Sequence, residues 1–213
     1  MTKMTRMSRT RGRGAAGWLL ALALGAVAAL AQGQQSPDNL VKGVADDVLH
    51  ALREDPDLRA GNQTKMAQLI EQKIAPHFEF ELMTRLAVGK AWRQATDGQK
   101  KALMEQFRQL LVRSYSAAWT AYQDIVVDIK PLRMQPGDDD VVVKTVIKRP
   151  GDAPPVEVNY SMYKTDSKWK VYDVSVEGVS LLSTYRSTFA EEIRKGGIDG
   201  LIKSLREKNA QSG

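Results

Sequence analysis

The chain contains no cysteine. Disulfides, thiolate nucleophiles and Cys-ligated metal centres are therefore excluded. Histidine is almost as scarce, with only His50 and His77 in 213 residues. The two do not stand at ligand spacing. His50 lies beside the apolar face of a helical stretch and His77 follows Pro76 at a helix end, so surface or capping roles account for both. His-Glu-x-x-His, Gly-x-Ser-x-Gly and Walker motifs are also missing, which removes the usual signatures of zinc hydrolysis, nucleophile-elbow chemistry and nucleotide binding. The run Gly196-Gly197-Ile198-Asp199-Gly200 follows a helix instead of a strand. It reads as a helix stop and restart with Gly196 or Gly197 left-handed, and not as a phosphate loop.

Long apolar runs are lacking apart from one, Trp18 to Leu30, and at 13 residues that run is shorter than the roughly 20 needed to span a bilayer. Ahead of it stand Lys3, Arg6, Arg9, Arg11 and Arg13 with no acid, and Ala29-Leu30-Ala31 closes it with small residues. A basic region, an apolar region and an A-x-A site predict a signal peptide over residues 1–31, cleaved after Ala31, and export. No cysteine follows to carry a lipid anchor, and the arginines are not paired as in a twin-arginine signal. The segment also explains the charge. It holds five of the 31 basic residues and none of the 25 acidic ones, so the remaining 182 residues carry 26 against 25. The pI near 9.5 is thus a property of the export segment and no argument for nucleic acid. A chain of that length buries roughly 70% of its unfolded surface without a covalent staple, and one domain over 32–208 is expected, followed by a disordered tail at 209–213.

Within it, Ser36 and Pro37 open a first helix with its apolar face at Leu40, Val44, Val48 and Leu52, ended by Asp55-Pro56. A second helix spans about Gln63 to Ile74 and is closed by Pro76. Phe78, Phe80, Leu82, Met83, Leu86 and Val88 make an apolar region before Gly89 and Trp92. The longest helix begins at Thr96, with Gln99 completing a capping box, and repeats apolar residues at Leu103, Phe107, Leu110, Leu111 and Ala118. Small residues Ser114, Ala117 and Ala118 leave room on its last turns. Alternation then takes over. Strands are predicted at Ile125 to Lys130, Val141 to Lys148, Val156 to Tyr163 and Trp169 to Val176, with turns at Pro136-Gly137-Asp138, Asp152 to Pro155 and Asp166-Ser167. From Val179 a closing helix carries Leu182, Tyr185, Phe189 and Ile193 on one side. The predicted fold is α+β: a four-stranded antiparallel sheet wrapped by N-terminal helices and a C-terminal helix.

Asp138-Asp139-Asp140 reads as a solvated turn, and no metal site is predicted. Asp173, between Tyr172 and Val174 in a half-buried strand, admits two readings. One is a structural carboxylate held by backbone N–H groups or by Arg186. The other is the proton-abstracting carboxylate of a cone-shaped isomerase-type fold.

Two stretches carry a family resemblance. Arg85-Leu86-Ala87-Val88-Gly89-Lys90-Ala91-Trp92-Arg93, followed by Gln99, Phe107, Leu110-Leu111 and Tyr115, resembles the central signature of the MlaC or toluene-tolerance family. Trp169 through Leu181, with Gly197-Ile198-Asp199-Gly200-Leu201, resembles its C-terminal signature. The resemblance runs from about Ser36 to Glu207. It implies a periplasmic non-enzyme with no cofactor, whose bound ligand is a diacyl phospholipid enclosed in an apolar pocket between sheet and helices. It further implies exchange of phospholipid between an outer-membrane lipoprotein and porin complex and an inner-membrane ABC transporter with a substrate-binding ring. A monomer is expected on separate grounds, because no long exposed apolar face is left once the core is assembled. The apolar residues then expected to line the tails are Leu82, Leu86, Trp92, Phe107, Leu111 and Tyr115, with Val143, Ile147, Val158, Tyr160, Met162, Val171, Val174, Val179, Leu182 and Phe189 from the sheet and closing helix. Two other readings stay open: a proton-transfer enzyme using Asp173, and a ligand-free adaptor docking through Arg186 and Arg194.

Overall fold

Pro37 has no N–H to lose and its fixed φ suits a first helical turn, and there α1 (Pro37–Glu54) begins. A computed structural model describes residues 35–120, 124–166 and 168–211, with backbone alone at 117–120. The predicted signal segment and its cleavage site lie outside the described residues, as do Tyr122, Ser167 and the side chains of Ala117 and Ala118. Ser36 takes the N-cap position with extended backbone but makes no side-chain cap bond. Asp55 ends α1 and starts the one-turn α2 (Pro56–Arg59), accepting from the N–H groups of Asp57 and Leu58. The expected second helix is α3 (Gln63–Leu69), capped by Asn62, and it runs on through a π turn at Ile70–Ile74 and a 3₁₀ turn at Ala75–His77. The apolar region after it is a helix in its own right, α4 (Phe80–Val88), followed by a 3₁₀ segment at Gly89–Gln94.

The capping box expected at the start of α5 (Asp97–Thr120) is formed: the Gln99 N–H donates to Thr96 Oγ1 at 3.2 Å and the Thr96 N–H donates to Gln99 Oε1 at 3.0 Å. Next come β1 (Val126–Ile129), β2 (Asp140–Lys148), β3 (Val156–Thr165) and β4 (Lys168–Val176), each pairing antiparallel with the one before. The sheet has five strands, and not the expected four. Glu177 and Gly178 both take positive φ (50° and 79°), as a two-residue hairpin turn requires. The chain therefore doubles back as β5 (Val179–Ser180) against Ser175 and Val176 before any helix starts.

The final helix, α6 (Leu181–Gln211), is broken at Gly197 (φ 66°, ψ −166°). That conformation is open essentially to glycine alone, and it is not the left-handed helical one expected from the sequence. Beyond the break Leu201, Ile202 and Leu205 are buried. The helix also outlasts the tail expected from Asn209. Asn209 is buried, its Nδ2 donates to the Gln106 carbonyl at 3.0 Å, and its own carbonyl accepts from Arg113. These bonds to α5 give the last turn partners that a solvated tail would lack. No helix among the described residues is long and apolar enough to cross a membrane.

Candidate functional site

One face of the sheet is apolar along its length. Val141, Val143 and Thr145 of β2 stand opposite Met162, Tyr160 and Val158 of β3, which in turn face Val171, Val174 and Val176 of β4. Regular alternation would put Val171 and Val174 on opposite faces. A β-bulge resolves this. Ser161 pairs with Asp173 and Met162 with Val171, so Tyr172 is the extra residue and the strand's parity flips behind it. Tyr172 and Asp173 consequently leave the apolar face.

A domain of this size usually has one contiguous apolar core. Here the described residues divide it into three. A helical cluster gathers Met83, Trp92, Leu103, Phe107, Leu111, Leu182, Phe189, Leu201 and Leu205. A sheet cluster gathers Val141, Val143, Val158, Met162, Trp169, Val171 and Val174, with Val41 from α1. A third joins α1, α2 and α3 to Val112 and Ile125. The boundaries run between chain neighbours: Leu111 belongs to the helical cluster and Val112 to the third, while Leu181 packs with the sheet and Leu182 with the helices. Phe78 touches both the helical and the sheet cluster, and Ile147 both the sheet and the third.

Two tyrosines sit at the edges of these clusters, Tyr160 on the sheet side and Tyr115 on the helical side. Tyr160 keeps accessible surface on the apolar face of the sheet, yet protein surrounds its hydroxyl so closely that burial pushes its pKa up to about 12, against a lowering hydrogen bond with Thr145. Tyr115 at the margin of the helical cluster is likewise raised to about 12, by burial first and then by Tyr185. Tyr185 and Phe189 meet Phe107 edge-on, with ring centroids at 4.9 and 5.1 Å.

The expected lining residues are distributed over these walls. Trp92, Phe107, Leu111, Leu182 and Phe189 are in the helical cluster with Tyr115 packed against it, while Val143, Val158, Met162, Val171 and Val174 are in the sheet cluster with Ile147 and Tyr160 packed against it. Leu82 is half-buried outside all three clusters, and Leu86 and Val179 are 39% and 62% exposed. Helix α4 turns Met83 and Ala87 inward, which leaves Leu82 and Leu86 to the other side. Val179 sits on the two-residue edge strand. Sequence reasoning left out Phe78 and Tyr185, although Tyr185 lies four residues before Phe189 on the same helical stripe. A separate open groove of about 600 Å³ lies among α1, α2 and α3 and shares no residue with this set. Within it Lys65 is tied to Asp55 at 3.0 Å and Asp57 at 2.6 Å.

Asp173 is held. Its Oδ1 accepts from the N–H groups of Val174 (2.9 Å) and Leu182 (3.1 Å), and its Oδ2 accepts from the Ser180 hydroxyl at 2.6 Å. Ser180 Oγ in turn accepts from the Ser183 N–H at 3.1 Å. Together they satisfy the orphan donors at the start of α6 and tie that helix to β4. Arg186 is not the partner; it lies against Gly89. Asp173→Ala strands three donors, so it is expected to lower the unfolding free energy by about 2–4 kcal/mol in urea titrations. Asp173→Asn, which keeps an acceptor, is expected to cost less than half of that. Equal costs for the two would mean that the carboxylate is not acting as a cap.

No group of three or more His, Asp or Glu able to hold a metal occurs among the described residues. The class defined by this arrangement is an α+β protein in which an antiparallel sheet and a helical layer each carry an apolar cluster. Within that class the chain belongs to the MlaC family: the model of the MlaC protein matches residues 42–207. It is 23% identical to a toluene tolerance protein of Pseudomonas putida over 181 residues, 84% of this chain and 83% of that one. It is 22% identical over 187 residues to the MlaC binding protein of the intermembrane phospholipid transport system of Haemophilus influenzae, covering 84% of each chain. Among solved structures it resembles the phospholipid-binding protein of Ralstonia solanacearum in complex with a phospholipid, at 39% identity and TM-score 0.76 over 82% of this chain and 97% of that one.

Proposed function

We propose that this protein is a periplasmic carrier that encloses the acyl chains of a phospholipid between its sheet and its helices and passes the lipid between outer-membrane and inner-membrane complexes of the Mla system. The observation that supports it most is the division of the apolar interior, with Tyr160 deep on the sheet and still bearing some surface and Tyr115 half-buried at the margin of the helical cluster. The Ralstonia relative, captured with a phospholipid, adds a ligand of matching chemistry.

Physical chemistry explains why such a carrier is needed. Two acyl chains of about 16 carbons present on the order of 25 kcal/mol of hydrocarbon to water at about 0.8 kcal/mol per CH₂. An uncarried lipid scarcely leaves its bilayer. The carrier supplies an interior nearly as apolar as the bilayer, and it must still release, so tight headgroup contacts would work against it. In this reading the tails touch the residues that retain some free surface, such as Tyr115, Ile147 and Tyr160, together with the nearly closed Leu111, Val158, Val174 and Leu182. Phe107, Val143, Met162 and Phe189, at 0–1% exposure, back those walls. Leu82 and Leu86 stand at the rim.

Organic extraction of the purified protein followed by mass spectrometry tests the proposal. Diacyl phospholipid near one equivalent is expected, with mixed headgroups because apolar walls read chains and not headgroups. An extract free of lipid, from protein that also fails to take labelled phospholipid from vesicles, would remove the carrier reading.

A further inference from the structure

Among the described residues some cations are matched with acids: Lys42 with Asp46, Lys65 with Asp55 and Asp57, Lys73 with Asp47, Lys130 and Lys148 with Asp128. Others, such as Lys101, Lys144 and Lys168, are exposed without an ion pair, and three of this unpaired kind come together at one corner. Lys90 and Arg93 lie on the 3₁₀ segment Gly89–Gln94, where residues three apart eclipse and share a side. Arg186 of α6 comes alongside, its Nε only 3.8 Å from where a Cβ on Gly89 would stand. All three are exposed, and among the described residues none has an ion pair. Arg85 is not counted, because it shares the surroundings of Tyr163 with Glu79 and Glu81. Like charges gathered without an acid repel, so the cluster is a cost to the free protein that an anionic surface would relieve.

Leu86, on the last turn of α4 before the break at Gly89, is 39% exposed. An apolar side chain flanked by cations is the makeup of a segment that rests on a membrane interface, the cations on phosphates and the apolar group at the acyl boundary. With the mature chain near neutrality, a basic corner is balanced by acids elsewhere, such as the exposed Asp138-Asp139-Asp140 turn. Such a charge distribution orients the molecule in the field of an anionic bilayer. We infer that the corner formed by Lys90, Arg93, Arg186 and Leu86 docks this protein on anionic lipid surfaces. The inference rests on the carrier reading for its purpose, but its test is separate.

Cosedimentation of the purified protein is measured with vesicles of phosphatidylcholine alone and of phosphatidylcholine with phosphatidylglycerol, at low and high salt. Wild type is expected to bind the anionic vesicles only, and more weakly as salt screens the contact. The triple variant K90Q/R93Q/R186Q is expected to lose about fivefold per cation, about a hundredfold in all. K42Q/K73Q/K203Q removes the same charge from paired sites and is expected to bind nearly as wild type. Wild type that ignores anionic vesicles, a corner variant that binds unchanged, or equal losses in both variants would each overturn the inference. So would binding confined to an acidic protein surface with no vesicle binding. Lipid recovered by extraction is expected to be the same in all three proteins. Should wild-type extracts hold no phospholipid while anionic binding persists, the carrier reading fails and the docking corner stands.

Discussion

Val174→Trp is expected to reduce the phospholipid recovered with the purified protein by about tenfold while leaving the fold intact. Val174 stands opposite Tyr160 on the apolar face of the sheet, at 9% exposure. If the space in front of Tyr160 receives an acyl chain, an indole placed there competes with the chain directly. Overpacking costs about 1–3 kcal/mol where space is already filled. Charged against ligand binding, a cost of that order shifts occupancy by about one decade. The control is Val143→Trp, two strands over on the same face and 0% exposed. It has no free space to enter, so its cost is expected to fall on stability, at about 1–3 kcal/mol in urea. Mass-spectrometric lipid content and urea midpoints measured on both variants separate the cases. Lipid loss without destabilisation in Val174→Trp, with the opposite in Val143→Trp, is the expected pattern. Two variants that both destabilise and both keep their lipid would place the acyl chains elsewhere.

The contrast between these two valines also shows how far residue order carries. The sheet was legible because Val141 to Lys148 and Val156 to Tyr163 alternate cleanly and are bounded by turn residues. The longest helix was legible because Thr96 and Gln99 stand at capping-box spacing ahead of an apolar stripe. What escaped was set by tertiary pairing. The bulge at Tyr172 puts Val171 and Val174 on one face, and nothing local in Trp169 to Val176 announces an extra residue. The fifth strand is two residues long and exists only because Ser175 and Val176 are there to pair with it. Asn209 looked like the start of a tail because its neighbours are polar, and its anchors, Gln106 and Arg113, lie about a hundred residues away. The candidate site was legible only as a set of apolar positions. Wall and backing look alike in a sequence, since both require apolar residues on an inward face.

Phe107 shows the difference between the two. Phe107→Ala is expected to lower the unfolding free energy by about 3–5 kcal/mol, the range for truncating a buried phenylalanine. The side chain is 0% exposed, and Tyr185 and Phe189 of α6 close on it edge-to-face, pairs worth about 0.5–1.5 kcal/mol each beyond area burial. The expected value therefore lies toward the upper end. Loss of this ring also loosens the contact between α5 and the first half of α6. If Phe107 backs the wall, removing it opens a void behind the lipid, and the stabilisation gained on lipid loading stays as in wild type. If it is part of the wall, the truncated side chain gives up contact with the chains, and the gain on loading shrinks with it. Urea titrations of stripped and loaded protein, wild type and variant, decide between the two. A complete closure of Phe107 by its aromatic neighbours predicts the first result: a large loss of stability, equal in both states, with lipid content unchanged.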